Sequence, residues 1–133
     1  MLKKVDIYCD GSCCGNPGMG GYGAVLVYEQ HEKEIHGSSN AVTTNNKMEI
    51  VSVIMALRAL KYKCDVTVYT DSNYVVNTMN GVYKRRTNHE LWSQLDVEVA
   101  KQNVKFVWVR GHSGNEYNER ADKLAKLGWC KNE

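Results

Sequence analysis

Four acids stand among residues that do not ordinarily surround a charge. Asp10 follows the apolar run "VDIYC" and Asp71 follows "VTVYT", each with a small turn-former, Gly11 or Ser72, directly behind it. Glu49 lies in "NNKMEIVSVIMALRAL", where Val53, Ala56 and Leu60 fall on its side of a helix-spaced pattern. Asp122 has Ala121 beside it and Ala125 about one turn on, small residues that let a helix press against a sheet. Taken singly, each acid reads as a cap or a strand end. Four of them on separate elements, aimed at one sheet edge, read as a ligand set. Clustered carboxylates repel, and burying them uncompensated is costly, so the natural resolution is hard divalent cations with oxygen ligands, Mg²⁺ first. No zinc-type Cys/His spacing or EF-hand pattern competes with that reading. Two such ions ~4 Å apart would activate a water and stabilise both the attacking and the leaving oxygen of a phosphodiester, which is nuclease chemistry.

The surrounding elements have to deliver the acids to one place. Lys4 to Cys9 has strand character and is followed by a glycine-rich loop; Gly21 to Gln30 and Glu34 to Ser39 continue as strands, and short connections suggest an antiparallel meander. Thr44 or Asn45 can cap a helix whose apolar positions run nearly all round to Leu60, so it should be buried. Val66 to Thr70 reads as a strand, then a short helix starts near Ser72; "HELWSQLDVEVAKQ" reads as a helix, Val104 to Val109 as a strand, and a last helix follows a loop from Arg110. The expected fold is α/β: a five-stranded mixed sheet, its last strands parallel, with helices on both faces. Sites in such sheets form beyond the carboxyl ends of the parallel strands, where Asp10 and Asp71 stand.

Composition sets outer bounds. At 133 residues and 43% hydrophobic content the chain fits one domain, expected to span 1–133. Its 17 basic and 15 acidic residues leave a formal charge of +2, so bulk electrostatics alone does not hold a polyanion. No apolar run approaches a membrane span and "MLKKVDIY" lacks signal-peptide order, so a cytoplasmic protein without membrane attachment is expected. Five cysteines, odd in number and without C-x-x-C spacing, argue for mostly reduced thiols, with a Cys64–Cys130 pairing left open. Trp92, Trp108 and Trp129 fall at helical or strand positions and are expected in the core.

The motifs "DGSCCGNPGMGGYGAVL", "TTNNKMEI", "TDSNYV" and "VRGHSGNEYNERADKLA" occur in order over nearly the whole length, and through them the chain resembles type 1 ribonuclease H. The resemblance implies a ribonuclease H-like fold with strand order 3-2-1-4-5. It implies endonucleolytic hydrolysis of the RNA strand of RNA–DNA hybrids with two Mg²⁺ ions, Mn²⁺ serving as a substitute, leaving a 3′-hydroxyl and a 5′-phosphate. It assigns Asp10, Glu49, Asp71 and Asp122 to the metals and His112 to proton transfer or product release. A histidine between Gly111 and Gly114 that titrates near neutral pH suits that role. Sequence-independent recognition of hybrid needs donors and acceptors for the ribose 2′-hydroxyl in the minor groove. The resemblance places those contacts at Cys13, Asn16, Asn45, Asn46 and Asn73, and a DNA-phosphate pocket at Thr44 and Asn88, with Val42 where relatives often carry an arginine.

Between Tyr83 and Asn88 the chain has only "KRRT", where many bacterial relatives insert a basic, tryptophan-rich handle. A free, monomeric enzyme with no obligatory protein partner is expected. The alternatives are a non-catalytic or polymerase-derived hybrid-binding domain, against which all four acids stand, and another nuclease of the same fold, such as an exonuclease or integrase core. The asparagine pair and the "GHSGNEYNERAD" spacing argue against the latter.

Overall fold

A computed structural model describes residues 1–111 and 114–130, the last two by backbone alone. Three long strands, β1 (Lys4–Cys14), β2 (Gly18–Tyr28) and β3 (His31–Thr43), form an antiparallel meander. Helix α1 (Asn45–Arg58) then crosses to β4 (Asp65–Thr70), which lies parallel to β1; α2 (Asn73–Met79) and α3 (His89–Ala100) lead to β5 (Asn103–Trp108), parallel to β4, and α4 (Glu116–Cys130) follows. The sheet order is β3-β2-β1-β4-β5, as the resemblance implies.

The strand boundaries differ from expectation at one consequential place. β1 does not stop at Cys9 before a glycine-rich loop; it runs on to Cys14, turns through residues 15–17, and returns as β2 from Gly18. Asp10 therefore sits inside a strand, paired across to Gly23. The glycines read as loop residues in the sequence, yet they are strand residues onto which helices close. A Cβ at Gly11 would collide with the backbone of Met48 and Glu49 in α1, and one at Gly23 with Ala121 and Leu124 in α4. With these positions reduced to backbone, one helix approaches each face beside Asp10.

Thr44 caps α1, its hydroxyl accepting from the Lys47 amide at 3.2 Å. As its apolar circumference suggests, the helix is buried: Ile50, Val53, Ile54, Ala56 and Leu57 pack with Ile7 and Cys9 of β1, Val66 and Val68 of β4, and Trp92 and Leu95 of α3. α4 covers the opposite face of β1, β2 and β3. The consecutive buried residues Ala24, Val25 and Leu26 follow from cover on both faces. Arg120 clamps α4 to the edge strand β3, at 2.7 Å from Glu32 and 2.7 Å from Glu34. Cys9, Cys13, Cys14 and Cys64 are free thiols, and the side chain of Cys130 lies outside the description. No described helix is long and apolar enough to cross a membrane.

Candidate metal centre and nucleic-acid interface

The parallel pairing of β1 with β4 runs from Lys4↔Asp65 to Tyr8↔Tyr69 and then ends. Two residues further on stand Asp10, still within β1, and Asp71, just past the end of β4. Glu49 enters this split from α1, held by the Gly11 amide, which donates to its Oε1 at 2.7 Å. Carboxylate oxygens of Asp10, Glu49 and Asp71 lie within 4.8 Å of one another. Asp122 comes from α4, within hydrogen-bonding reach of Asp10, while its Oδ2 pairs with Lys126 one turn on at 3.1 Å. All four predicted acids are thus brought together, with Asp122 beside the close triad rather than inside it.

Electrostatics follow from this crowding. Asp10, only 6% exposed, has its pKa raised, first by burial, then by the charge of Glu49, the hydrogen bond to Asp122 and the charges of Asp71 and Asp122. Glu49 is raised as well, by burial and then by Asp71, while the Gly11 amide and Asp10 act in the opposite direction by stabilising its charge. No lysine or arginine contributes to either shift. Burial and crowding therefore favour the protonated forms of Asp10 and Glu49 in the absence of an outside cation. Oxygen-only donors and mutual repulsion fit hard divalent cations such as Mg²⁺.

Asp71 has supports that the sequence did not advertise. The indole N–H of Trp108 donates to the Asp71 carbonyl at 3.1 Å, and Trp108 is 46% exposed rather than in the core. An aromatic at the last residue of a strand resembles core, but β5 is an edge strand of the sheet and its last residue stays at the surface. Gly111 packs against the Asp71 carboxylate so closely that a Cβ would meet Oδ2 at 2.6 Å. The next residue, His112, lies outside the described residues. Ser72 turns the chain away by capping α2, accepting from the Val75 amide at 3.2 Å.

The residues expected to bind hybrid divide in two. Asn16, Thr44, Asn46 and Asn88 line one groove of about 380 Å³, together with Pro17, Lys47 and Thr87, at the amino terminus of α1. Asn16 Oδ1 accepts from the Asn45 amide at 3.0 Å, tying the β1–β2 turn to the helix start. Asn88 holds a left-handed backbone (φ 59°) and its amide donates to the Tyr74 hydroxyl at 2.9 Å. A helix amino terminus beside a lysine suits an anion. Cys13, paired with Gly20 in the hairpin, and Asn73, exposed at the first residue of α2, do not line this groove. Lys47 was missed by sequence reasoning, and its three-residue spacing from the cap was the available signal. Val42 is 66% exposed.

Within "KRRT", Arg85 is spent on the fold: it makes bonds of 2.6 and 2.8 Å to Asp96 and lies over the Trp92 ring. Lys84 and Arg86 line a neighbouring groove with Tyr74, Val82 and Tyr83, and it shares Thr87 with the first.

Comparison with known proteins agrees with this geometry. The RNase H family model matches residues 2–129. The chain is 48% identical to the ribonuclease H of Aeromonas salmonicida (strain A449), covering 95% of this chain and 90% of that protein. It is 47% identical to that of Francisella tularensis subsp. novicida (strain U112), covering 92% and 89%. Among solved structures, LC11-RNase H1 in complex with an RNA/DNA hybrid superposes with a TM-score of 0.81 at 30% identity, over 96% of this chain and 97% of that one. RNase H1 from the archaeon Halobacterium salinarum NRC-1 gives 0.84 at 25% identity, over 96% and 98%. Sequence, fold and the carboxylate cluster therefore agree that the chain belongs to the ribonuclease H family.

Proposed function

We propose that this enzyme hydrolyses the RNA strand of RNA–DNA hybrids internally, by two-metal-ion chemistry, leaving 3′-hydroxyl and 5′-phosphate ends. The observation that carries the reading is the convergence of Asp10, Glu49 and Asp71 within 4.8 Å at the split between β1 and β4, with Asp122 alongside. These four acids would hold two Mg²⁺ ions, for which Mn²⁺ can substitute. When bound, such ions supply positive charge at both the attacking and the leaving oxygen of the phosphodiester. The chain's own residues supply the rest. The Gly11 amide holds the Glu49 carboxylate, the Trp108 indole holds the Asp71 main chain, and Gly111 leaves room for the Asp71 carboxylate. His112, which follows Gly111, would move a proton to the leaving oxygen or assist product release.

Hybrid recognition is assigned to two groups of residues. Thr44 and Asn88, in the groove at the α1 amino terminus, would hold a DNA phosphate. Cys13, Asn16, Asn45, Asn46 and Asn73 would meet the minor groove, where the 2′-hydroxyl marks the RNA strand. LC11-RNase H1, whose structure holds an RNA/DNA hybrid, supports this substrate class. The chain is proposed to act as one catalytic domain and as a monomer in the cytoplasm, a reading that its free thiols support.

The test is cleavage of labelled hybrid, duplex RNA and duplex DNA with Mg²⁺ or EDTA. Hybrid alone should be cut, only with the metal, and the Asp10→Asn protein should be inactive while remaining folded. Wild-type-like turnover by Asp10→Asn would refute the metal assignment.

A further inference from the structure

Three tyrosines on the sheet face opposite α1 touch in series. Ile7 and Cys9 of β1 and Val66 and Val68 of β4 belong to the core under α1, so by strand alternation Tyr8 and Tyr69 point the other way. Their rings stack with centroids 4.7 Å apart and planes 13° from parallel. Tyr117, in the first turn of α4, stacks on Tyr8 at 4.9 Å and 30°. All three are half-buried.

Each ring belongs to an element that delivers an acid. Tyr8 stands two residues before Asp10, Tyr69 two before Asp71 and Tyr117 five before Asp122. Tyr8↔Tyr69 is also the last paired rung of β1 and β4, directly ahead of the split that Glu49 enters. Helix α4 packs on β1, β2 and β3, and the stack carries its hold one strand further, to β4. The outer end of the stack is anchored on β3. The Tyr117 hydroxyl donates to Glu32 at 3.2 Å, and the Arg120 guanidinium, paired with Glu32 and Glu34, lies 5.6 Å from the Tyr117 centroid. Asp10, Asp71 and Asp122 repel one another, which pushes β1, β4 and α4 apart just where backbone pairing has ended. Stacked rings resist that spreading, because much of their dispersion contact is forfeited on a separation of about 1 Å.

We propose that Tyr8, Tyr69 and Tyr117 are positioning residues for the acid centre: their stack sets the spacing of Asp10, Asp71 and Asp122, and through it the affinity of the site for divalent cations. The proposal rests on the assignment of these acids to metal ions. Rings that hold the acids near the spacing a shared cation requires leave less of the binding energy to be spent on drawing them together. The ring faces carry this role rather than the hydroxyls, since Tyr8 and Tyr69 meet through their faces. A packing role alone would appear in stability; a positioning role appears in the metal requirement.

Two measurements on the full chain separate these. Mn²⁺ binding without substrate is read from the electron paramagnetic resonance signal of the free ion, and the Mg²⁺ midpoint from hybrid cleavage over a metal series. Tyr69→Ala and Tyr117→Ala should each weaken Mn²⁺ binding and raise the Mg²⁺ midpoint by about two- to tenfold, the loss expected for one aromatic pair. At saturating Mg²⁺ their kcat and KM should approach the native values. Tyr69→Phe keeps the ring and should bind Mn²⁺ as the native chain does, and so should Tyr117→Phe, although it gives up the bond to Glu32. Leu95→Ala, at a buried position of α3, is the stability control: its Tm should fall while its Mn²⁺ affinity stays native. Native Mn²⁺ affinity in both alanine variants, an equal loss in Leu95→Ala, or a loss as large in the phenylalanine variants as in the alanine ones overturns the proposal. Asp10→Asn keeps the two readings apart. If it abolishes Mn²⁺ binding while the tyrosine variants bind normally, the stack alone loses its role; if it binds Mn²⁺ like the native chain, the metal assignment falls and the proposal with it.

Discussion

Asp10 and Glu49 are held where their charged forms are disfavoured, and this links stability to pH. Both carboxyls titrate above their ordinary values of 3.8 and 4.5 in the folded chain, burial being the main cause. A raised folded pKa means that the contribution to stability is fully present below the unfolded value and is lost as pH climbs through the folded one. The metal-free protein should therefore lose thermal stability as pH rises from the ordinary carboxylate range through neutrality, and Mg²⁺ should flatten that slope by supplying the missing positive charge. Thermal melts across pH in EDTA and in Mg²⁺ provide the check; a metal-free Tm that rises over the same range would contradict the crowding argument. His112 carries a kinetic prediction. His112→Ala should slow turnover roughly ten- to a thousandfold, within the usual reach of a proton shuttle, with little change in substrate affinity. A kcat unchanged at every pH would remove His112 from the reaction.

Among the elements, the contact of α1 with β1 governs the site. Gly11 does two things there: its amide holds Glu49, and its lack of a side chain admits the helix backbone. Gly11→Ala must push α1 away or bend the strand, and overpacking of this kind costs about 1–3 kcal/mol. Urea unfolding should show that loss. Hybrid cleavage should fall further than the lost stability explains, because Glu49 moves with the helix. An alanine variant with native stability and native Mg²⁺ dependence would show that the helix does not need this approach. The extension of β1 to Cys14 has the same consequence, since the hairpin carries Asn16 to the start of α1 and so helps build the groove there.

For the whole molecule, the question is how so mildly charged a chain grips a polyanion. Arg85 is internal to the fold, bound by Asp96, so Lys47, Lys84 and Arg86 are the cations lining the two grooves on the active-site side. Each phosphate contact contributes about 0.9 to the slope of log affinity against log salt, so the native slope should be no steeper than about three. Grafting a basic, tryptophan-bearing helix and loop between Arg86 and Asn88 should lower KM and steepen the slope, leaving kcat nearly unchanged because the acids are untouched. A salt series on native and grafted proteins makes the comparison. Tight native binding with a steep slope would mean that another surface holds the DNA strand.

The order of elements, the buried α1 and the four acids were legible in the chain, because apolar periodicity and a charge in apolar company are local signals. Thr44 and Ser72 were readable as caps for the same reason: a hydroxyl before a helix bonds only a few residues away. Other features depend on partners distant in sequence. Gly11 and Gly23 look like loop residues until α1 and α4 close on them. Trp108 looks like core until the end of the sheet leaves it exposed and bonded to Asp71. Arg85 looks like a free cation until Asp96 on α3 takes it. Propensity and periodicity act over one or two turns of chain, whereas charge pairing and close packing depend on which elements meet in space.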